Sequence, residues 1–407
     1  MKKTKWARRI FAGALAVAWL GYAAFNMLVQ APALGAGLRR GWNFDSRIEN
    51  LKQVINGSFI YNSIFQDING YKNLLTGSEM ISVDRDLSII RGKDGYLYYS
   101  NSFPYENYDY STQALKLREV QNAVQERGGS LLFVNCPDLY IEGEGLYDSE
   151  LPISNLNARS NALLYALQGY GVSSMDARRV LEESDLSPLQ YRYKTEPHWT
   201  TQAGFEVYLA LLEWIEQQGG SVGSNGFFAD RNNYNQTMYK EAFSGQMGQR
   251  IGIPYAGYDD FVLIEPGFDT RFTLSYHETS PMQPKQGDFS SVLLEQYWMD
   301  QKEPYERNMY NAYLTSLYSF RRISNDLNPD GPKILIIGDT HMLPVASLLA
   351  TAAGEICLLW PYGVPDMDED VENLLDYIGK NDFDHVIIGM SPGSMYDGGF
   401  NFLNGID

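Results

Sequence analysis

Four short runs constrain this chain most: SLLFVNC (130–136), PKILIIGD (332–339), GEICLLW (354–360) and FDHVIIGM (383–390). A strand with one face in water alternates apolar and polar residues. A run without alternation needs cover on both faces. Between these runs lie stretches with helix periodicity. Residues 111–127 end in the helix stop RGG, GVSSMDARRVLEES (171–184) reads as a short strand then a helix, and QAGFEVYLALLEWIEQQGG (202–220) is an amphipathic helix closed by glycine. Strands alternating with helices select an α/β class, a three-layer α/β/α sandwich on a mostly parallel sheet. IIRGKDGYLYYSNS (89–102) reads as a hairpin with its turn at Lys93-Asp94-Gly95. Residues 220–325 are polar, aromatic and Gly-rich, an elaboration with hairpin-like pieces such as DDFVLIEPGFDTRFTLSY (259–276).

The N-terminus carries the signal for location. MKKTKWARR is basic, and no charged residue occurs from Ile10 to Leu38. Residues 10–29 are long enough to cross a bilayer as a helix. The positive-inside bias places residues 1–9 in the cytoplasm and the body outside. This predicts a single-pass cell-membrane protein: an anchor at 10–29, a stalk or lead-in at 30–80, and an extracytoplasmic domain at 81–407. APALGAG (31–37) has the small residues of a signal-peptidase site, so a cleaved signal peptide is the alternative. The chain of 407 residues has a net charge of −18, with no basic surplus to neutralise phosphates, which argues against nucleic acid. Cys136 and Cys357 each lie in an apolar run and read as buried thiols rather than a disulfide or zinc site.

Two segments carry candidate chemistry. In YKTEPHWTTQAGF (193–205), Glu196 and His198 stand two apart in a chain with only four histidines. A carboxylate at that spacing can hold an imidazole in the tautomer a general base needs, with Trp199 packed under the pair. A polar turn is the plain alternative. In ILIIGDTHMLPVASLLA (334–350), an apolar strand ends in Gly338-Asp339-Thr340 before a helix. Gly338 permits a tight turn, and Thr340 would stand at a helix N-terminus, where free N–H groups can bind an oxyanion. Simple capping of that helix by Thr340 is the competing account. Glu196, His198, Asp339 and His341 together would also suffice for a metal site if they converged. His277 and His385 read as ordinary surface or core histidines.

Taken in order, these segments resemble the DHHW and alginate O-acetyltransferase-like branch of the SGNH hydrolase superfamily. GKDGYLYY is similar to its G-x-D-G-W-L-F/Y hairpin, and LLFVNCPDLYIEGEGLY to its strand and P-x-K-x-x-x-Y loop. TEPHWTTQAGF is similar to D-x-H-W-T-x-x-G, FSGQMGQRIGIPY to G-S-x-G-R, and KILIIGDT to a strand ending in G-D-S. The resemblance spans about 80–400 and implies an SGNH-hydrolase-like fold that transfers acetyl groups to a cell-envelope polysaccharide. It implies a membrane-bound O-acyltransferase as donor-side partner, with no cofactor and no metal. Carried over, Thr340 is the nucleophile, His198 the base and Glu196 the orienting carboxylate, with Gly338 and Asp339 at the oxyanion turn and Trp199 and Thr200 supporting. The chain departs from the pattern in having Thr for Ser, Glu for Asp, and LLWPYGVP where a D-x-R-like element is usual. Those departures leave an inactive SGNH-like protein that binds glycan or the acetylation machinery as the alternative. A metal-binding hydrolase is the second alternative.

Overall fold

The computed structural model describes scattered positions between 13 and 28 and most of 62–406. Residues 85–86, 93–94, 102–107, 144–150, 221, 223, 277–281, 315–319 and 363–370 fall outside the described set. The chain divides into two compact units, Met1–Ile68 and Asn69–Asp407. Among the described residues no helix is long and apolar enough to cross a membrane. The anchor expected at 10–29 lies for the most part outside them, as do residues 1–9 and 30–61. A helix covers Asn62–Thr76, within the expected lead-in.

The strands are β1 (Met80–Ser82), β2 (Leu87–Arg91), β3 (Leu97–Asn101), β4 (Ser130–Asn135), β5 (Ser174–Asp176), β6 (Tyr234–Phe243), β7 (Asp259–Pro266), β8 (Phe272–Tyr276), β9 (Lys285–Gly287), β10 (Phe320–Asn325), β11 (Lys333–Gly338), β12 (Glu355–Leu359) and β13 (His385–Met390). The eight-stranded main sheet runs β5-β4-β13-β11-β12-β10-β8-β9. From β5 to β12 every pairing is parallel. From β12 to β9 every pairing is antiparallel. The sheet is therefore mixed, and part of the expected elaboration supplies one edge of it. The stretch 259–276 is not a hairpin either. β7 pairs with β6 in a separate two-stranded ladder, while β8 joins β10 in the main sheet. The two strands of that stretch pair with other strands rather than with each other, a choice that local pattern does not encode.

The unbroken apolar runs fill the middle of the sheet, and their residues alternate between two cores. Leu132, Val134, Ile334, Ile336, Ile356 and Ile387 belong to one core with helices Thr201–Gln217 and Met342–Leu349. Leu131, Phe133, Leu335, Ile337, Cys357 and Ile388 belong to the other, with helices Ser111–Gln125, Asn157–Gly169 and Leu374–Lys380. Successive side chains leave a strand on opposite faces, so a run apolar at every position is what two covered faces require. This is the three-layer α/β/α arrangement. β1, β2 and β3 form a small antiparallel sheet that contains the expected hairpin. Gly95 has φ +81°, while Lys93 and Asp94 lie outside the described residues. Both cysteines are free and buried. His385 is buried on β13, with Nδ1 2.7 Å from the Ser130 hydroxyl, while His277 lies outside the described residues.

Candidate active site

In parallel α/β sheets, functional groups collect beyond the carboxyl ends of the strands. Here β4, β13 and β11 are neighbours, and the loops after them carry Asp138, Ser391 and Thr340 respectively. Thr340 follows β11 in the turn that leads to the helix Met342–Leu349. It does not cap that helix. The N-cap position belongs to His341, and the Thr340 hydroxyl lies 2.5 Å from Nε2 of His198.

His198 comes from the segment before helix Thr201–Gln217, whose N-terminal turn packs against the Thr340 loop. Gly204 faces that loop, where a Cβ would make ordinary contact with Pro344 and the Trp199 indole nitrogen at 3.5 Å. Trp199 is buried, and its indole N–H donates to the His341 carbonyl at 3.0 Å, tying the two segments together. It does not lie under the Glu196–His198 pair. That place is taken by Tyr310, whose ring stacks on His198 at 4.1 Å and 12°. The Tyr310 hydroxyl donates toward the carbonyls of Thr340 at 3.1 Å and His341 at 3.3 Å. Thr200 caps the helix, accepting from the Ala203 N–H at 3.1 Å and donating to the Gln190 carbonyl at 2.6 Å.

Glu196 is buried, with Oε1 2.6 Å from Nδ1 of His198. An ionised carboxylate only accepts, so Nδ1 carries the proton and Nε2 is left to accept from the Thr340 hydroxyl. The other oxygen, Oε2, accepts from the Gln246 N–H at 2.7 Å. Burial lowers the pKa of His198 and outweighs the opposing influence of Glu196, so the imidazole is neutral at neutral pH.

The Glu196 loop is itself braced. Asp259, at the start of β7, accepts from the N–H of Lys194 at 2.6 Å, and from the N–H and hydroxyl of Thr195 at 2.9 and 2.5 Å. The Thr195 hydroxyl oxygen accepts from Gly245 N–H at 2.7 Å, and the Thr195 carbonyl accepts from Met247 and Gly248. Gly245 sits so close that a Cβ would come 2.4 Å from Glu196 Cβ and 2.7 Å from its backbone nitrogen.

Asp339 and His341 do come near the pair, with the two imidazoles 4.8 Å apart. Both carboxylate oxygens of Asp339 are already engaged. Asp339 Oδ1 accepts from the His341 N–H at 3.0 Å and lies 3.1 Å from Nδ1 of that ring. Oδ2 accepts from the N–H and hydroxyl of Ser391 and the hydroxyl of Ser394, each at 2.7 Å. Burial works against this charge, but His341 and the hydrogen bonds from Ser391 and Ser394 hold its pKa well below the ordinary carboxylate value. Among the described residues no group of three or more His, Cys, Asp or Glu is placed to hold a metal ion.

The Asp339 N–H donates to the Gly389 carbonyl at 3.1 Å, so this amide is not open to a substrate oxyanion. Gly338 has no positive φ. Its constraint is packing, since a Cβ would meet the Met342 side chain at 2.7 Å. A cleft of about 570 Å³ opens over Thr340 and His198, with Gln246, Gln249, Arg307, Asn308 and Asn311 on its wall. Sequence reading did not find these five residues, nor Tyr310, Asp259 or Ser394. Gln246 and Gln249 lie in FSGQMGQRIGIPY, a motif of the resemblance that had been given no site role, and Ser391 and Ser394 lie in the SPGS that directly follows an apolar strand.

Comparisons with known proteins bear on the fold and on part of the sequence. Residues 89–249 match the family described as ALGX, the SGNH hydrolase-like domain of the acetyltransferase AlgX. The matched stretch contains Glu196, His198 and Gln246 and ends before Thr340. No curated protein matches the chain. Among solved structures, PatB1 of Bacillus cereus is 15% identical, with 78% of this chain and 100% of that one covered at a TM-score of 0.60. A DHHW family protein from Eubacterium siraeum is 15% identical, covering 80% and 97%, at 0.56. At that identity these two show the fold alone. The resemblance to SGNH hydrolase-like acetyltransferases thus holds in sequence over 89–249, and in fold over most of the chain.

Proposed function

We propose that this protein transfers acetyl groups to a cell-envelope polysaccharide through a covalent acyl-enzyme on Thr340. The observation that carries the proposal is the continuous line Glu196–His198–Thr340, with contacts of 2.6 and 2.5 Å. The matched acetyltransferase domain supports acetyl as the group moved.

The steps follow from that line. His198 Nε2 takes the Thr340 hydroxyl proton as the oxygen attacks the acetyl carbonyl carbon of the donor ester. Glu196 stabilises the imidazolium that forms. The tetrahedral oxyanion develops beside the Thr340 N–H, which has no acceptor among the described residues. The donor oxygen leaves with the proton from His198, and acetyl-Thr340 remains. A glycan hydroxyl then attacks, giving its proton to His198, and Thr340 recovers it as the acetylated glycan departs. Donor supply by a membrane-bound O-acyltransferase, and a body held outside the membrane by residues 10–29, belong to the same proposal. The basic residues before an uncharged Ile10–Leu38 stretch support that location.

Purified protein should release acetate from an activated acetyl ester and accumulate one acetyl group on Thr340, read by mass spectrometry. His198→Ala should abolish both, and activity untouched by that change would sink the triad. Threonine at the nucleophile position favours a second reading, an inactive glycan-binding relative, because its extra methyl restricts χ1 and crowds attack. Absence of activity in both the native protein and Thr340→Ser would support that second reading.

A further inference from the structure

Arg307 holds a charge in the cleft that the acyl-transfer line does not use. Its Nε donates to the Gln301 carbonyl and its Nη1 to the Ala242 carbonyl, both at 2.9 Å. The Gln249 side chain, which donates to the Ser244 carbonyl at 2.9 Å, also donates to the Arg307 carbonyl at 3.3 Å. Carbonyls orient a guanidinium without neutralising it. Among the described residues no carboxylate pairs with Arg307, and Nη2 has no partner. The two carboxylates of the cleft are spent, Glu196 on His198 and Gln246, Asp339 on His341, Ser391 and Ser394. In a chain of net charge −18, a cation that no described carboxylate pairs, in the cleft that Thr340 also lines, calls for an anion from outside.

A guanidinium fixed in plane presents its remaining N–H groups as half of a fork that fits a planar or tetrahedral oxyanion. The neighbouring side chains of Gln246, Asn308 and Asn311 are neutral carboxamides, able to give and accept hydrogen bonds with sugar hydroxyls. We infer that Arg307 selects acceptor glycans that carry an oxyanion, a carboxylate or a phosphate ester, on or next to the residue that is acetylated. This rests on the acyl-transfer reading for the word acceptor. The anion site itself stands on Arg307 alone.

The test separates the two. The full chain carrying Thr340→Ala, which cannot turn over, is titrated calorimetrically at low salt with three oligomers of equal length: a uronate, a glycerol phosphate and a neutral glucan. One anionic oligomer should bind at least about tenfold more tightly than the glucan, and that preference should weaken with salt. Arg307→Gln should erase the preference. Arg307→Lys keeps the charge but not the fork and should retain part of it, with circular dichroism melting showing both variants folded. Glucan binding equal to that of both anions, no binding of either anion, or a preference that survives Arg307→Gln overturns the inference. An anion preference without any acetyl release from the unmodified protein leaves the inference standing and removes the acyl-transfer reading. Which anion wins identifies the source of the oxyanion.

Discussion

Glu196→Gln tests the line of hydrogen bonds at its most exacting point. The Gln246 N–H needs an acceptor, and in the native protein Oε2 of Glu196 supplies it at 2.7 Å. A glutamine has one oxygen and one NH₂, so satisfying Gln246 turns the NH₂ toward His198 Nδ1. That nitrogen must then accept, which moves the ring proton to Nε2 and leaves no base facing Thr340. The lost charge adds to the effect. A carboxylate about 4 Å from an imidazolium centre contributes about 4 kcal/mol at an effective dielectric near 20. At 1.36 kcal/mol per tenfold in rate, that is a loss of about 10³ in kcat. The assay is steady-state acetate release from an activated ester, with single-turnover acetylation of Thr340 as the second readout. The exchange is nearly isosteric, so the melting temperature should move little. A kcat within about fivefold of native, in a folded variant, would refute both the tautomer argument and the role of Glu196.

Thr340→Ser removes the methyl that restricts χ1 and should raise the acetylation rate several-fold in the same assay; an unchanged rate would show that the methyl is not limiting. Burial holds the His198 pKa below its ordinary 6.5, and the base must be neutral to act. Activity should therefore be flat above neutrality and fall only as pH drops through a midpoint below 6.5; a midpoint above that value contradicts the burial argument. Gly245→Ala places a Cβ 2.4 Å from Glu196 Cβ. It should cost about 1–3 kcal/mol in denaturant unfolding and reduce kcat by displacing Glu196. The Asp339 carboxylate has its folded-state pKa depressed, so its stabilisation is present above the unfolded value and lost as pH falls through the folded one. Asp339→Asn should remove that contribution at neutral pH, at least about 3 kcal/mol for several charge-assisted bonds, and flatten the acid limb of stability against pH.

The centre of the fold was legible because its signal is local. An unbroken apolar run such as 334–337 needs two covered faces, and the cores split its residues by odd and even position. Glu196, His198 and Thr340 were legible for the same kind of reason, each lying in a short motif at the end of a predictable element. The partners of those residues were not. Tyr310 stacks on His198 from 112 positions away along the chain, and Asp259 clamps Thr195 from 64 positions away. Nothing in the flanking sequence of either marks that role. The strand pairing of 220–325 escaped likewise, since β7 and β8 adjoin in sequence yet pair in different sheets.

The sequence alone determined the α/β class, the covered strands and the short motifs that hold Glu196, His198 and Thr340, since periodicity and short motifs depend only on near neighbours. Tertiary structure decided which carboxylate meets which imidazole. It gave Glu196 to His198 and Asp339 to Ser391, Ser394 and His341, and left Arg307 with carbonyls and, among the described residues, no counter-charge. Those choices depend on distance and burial between segments far apart in the chain, and only the closed fold sets them.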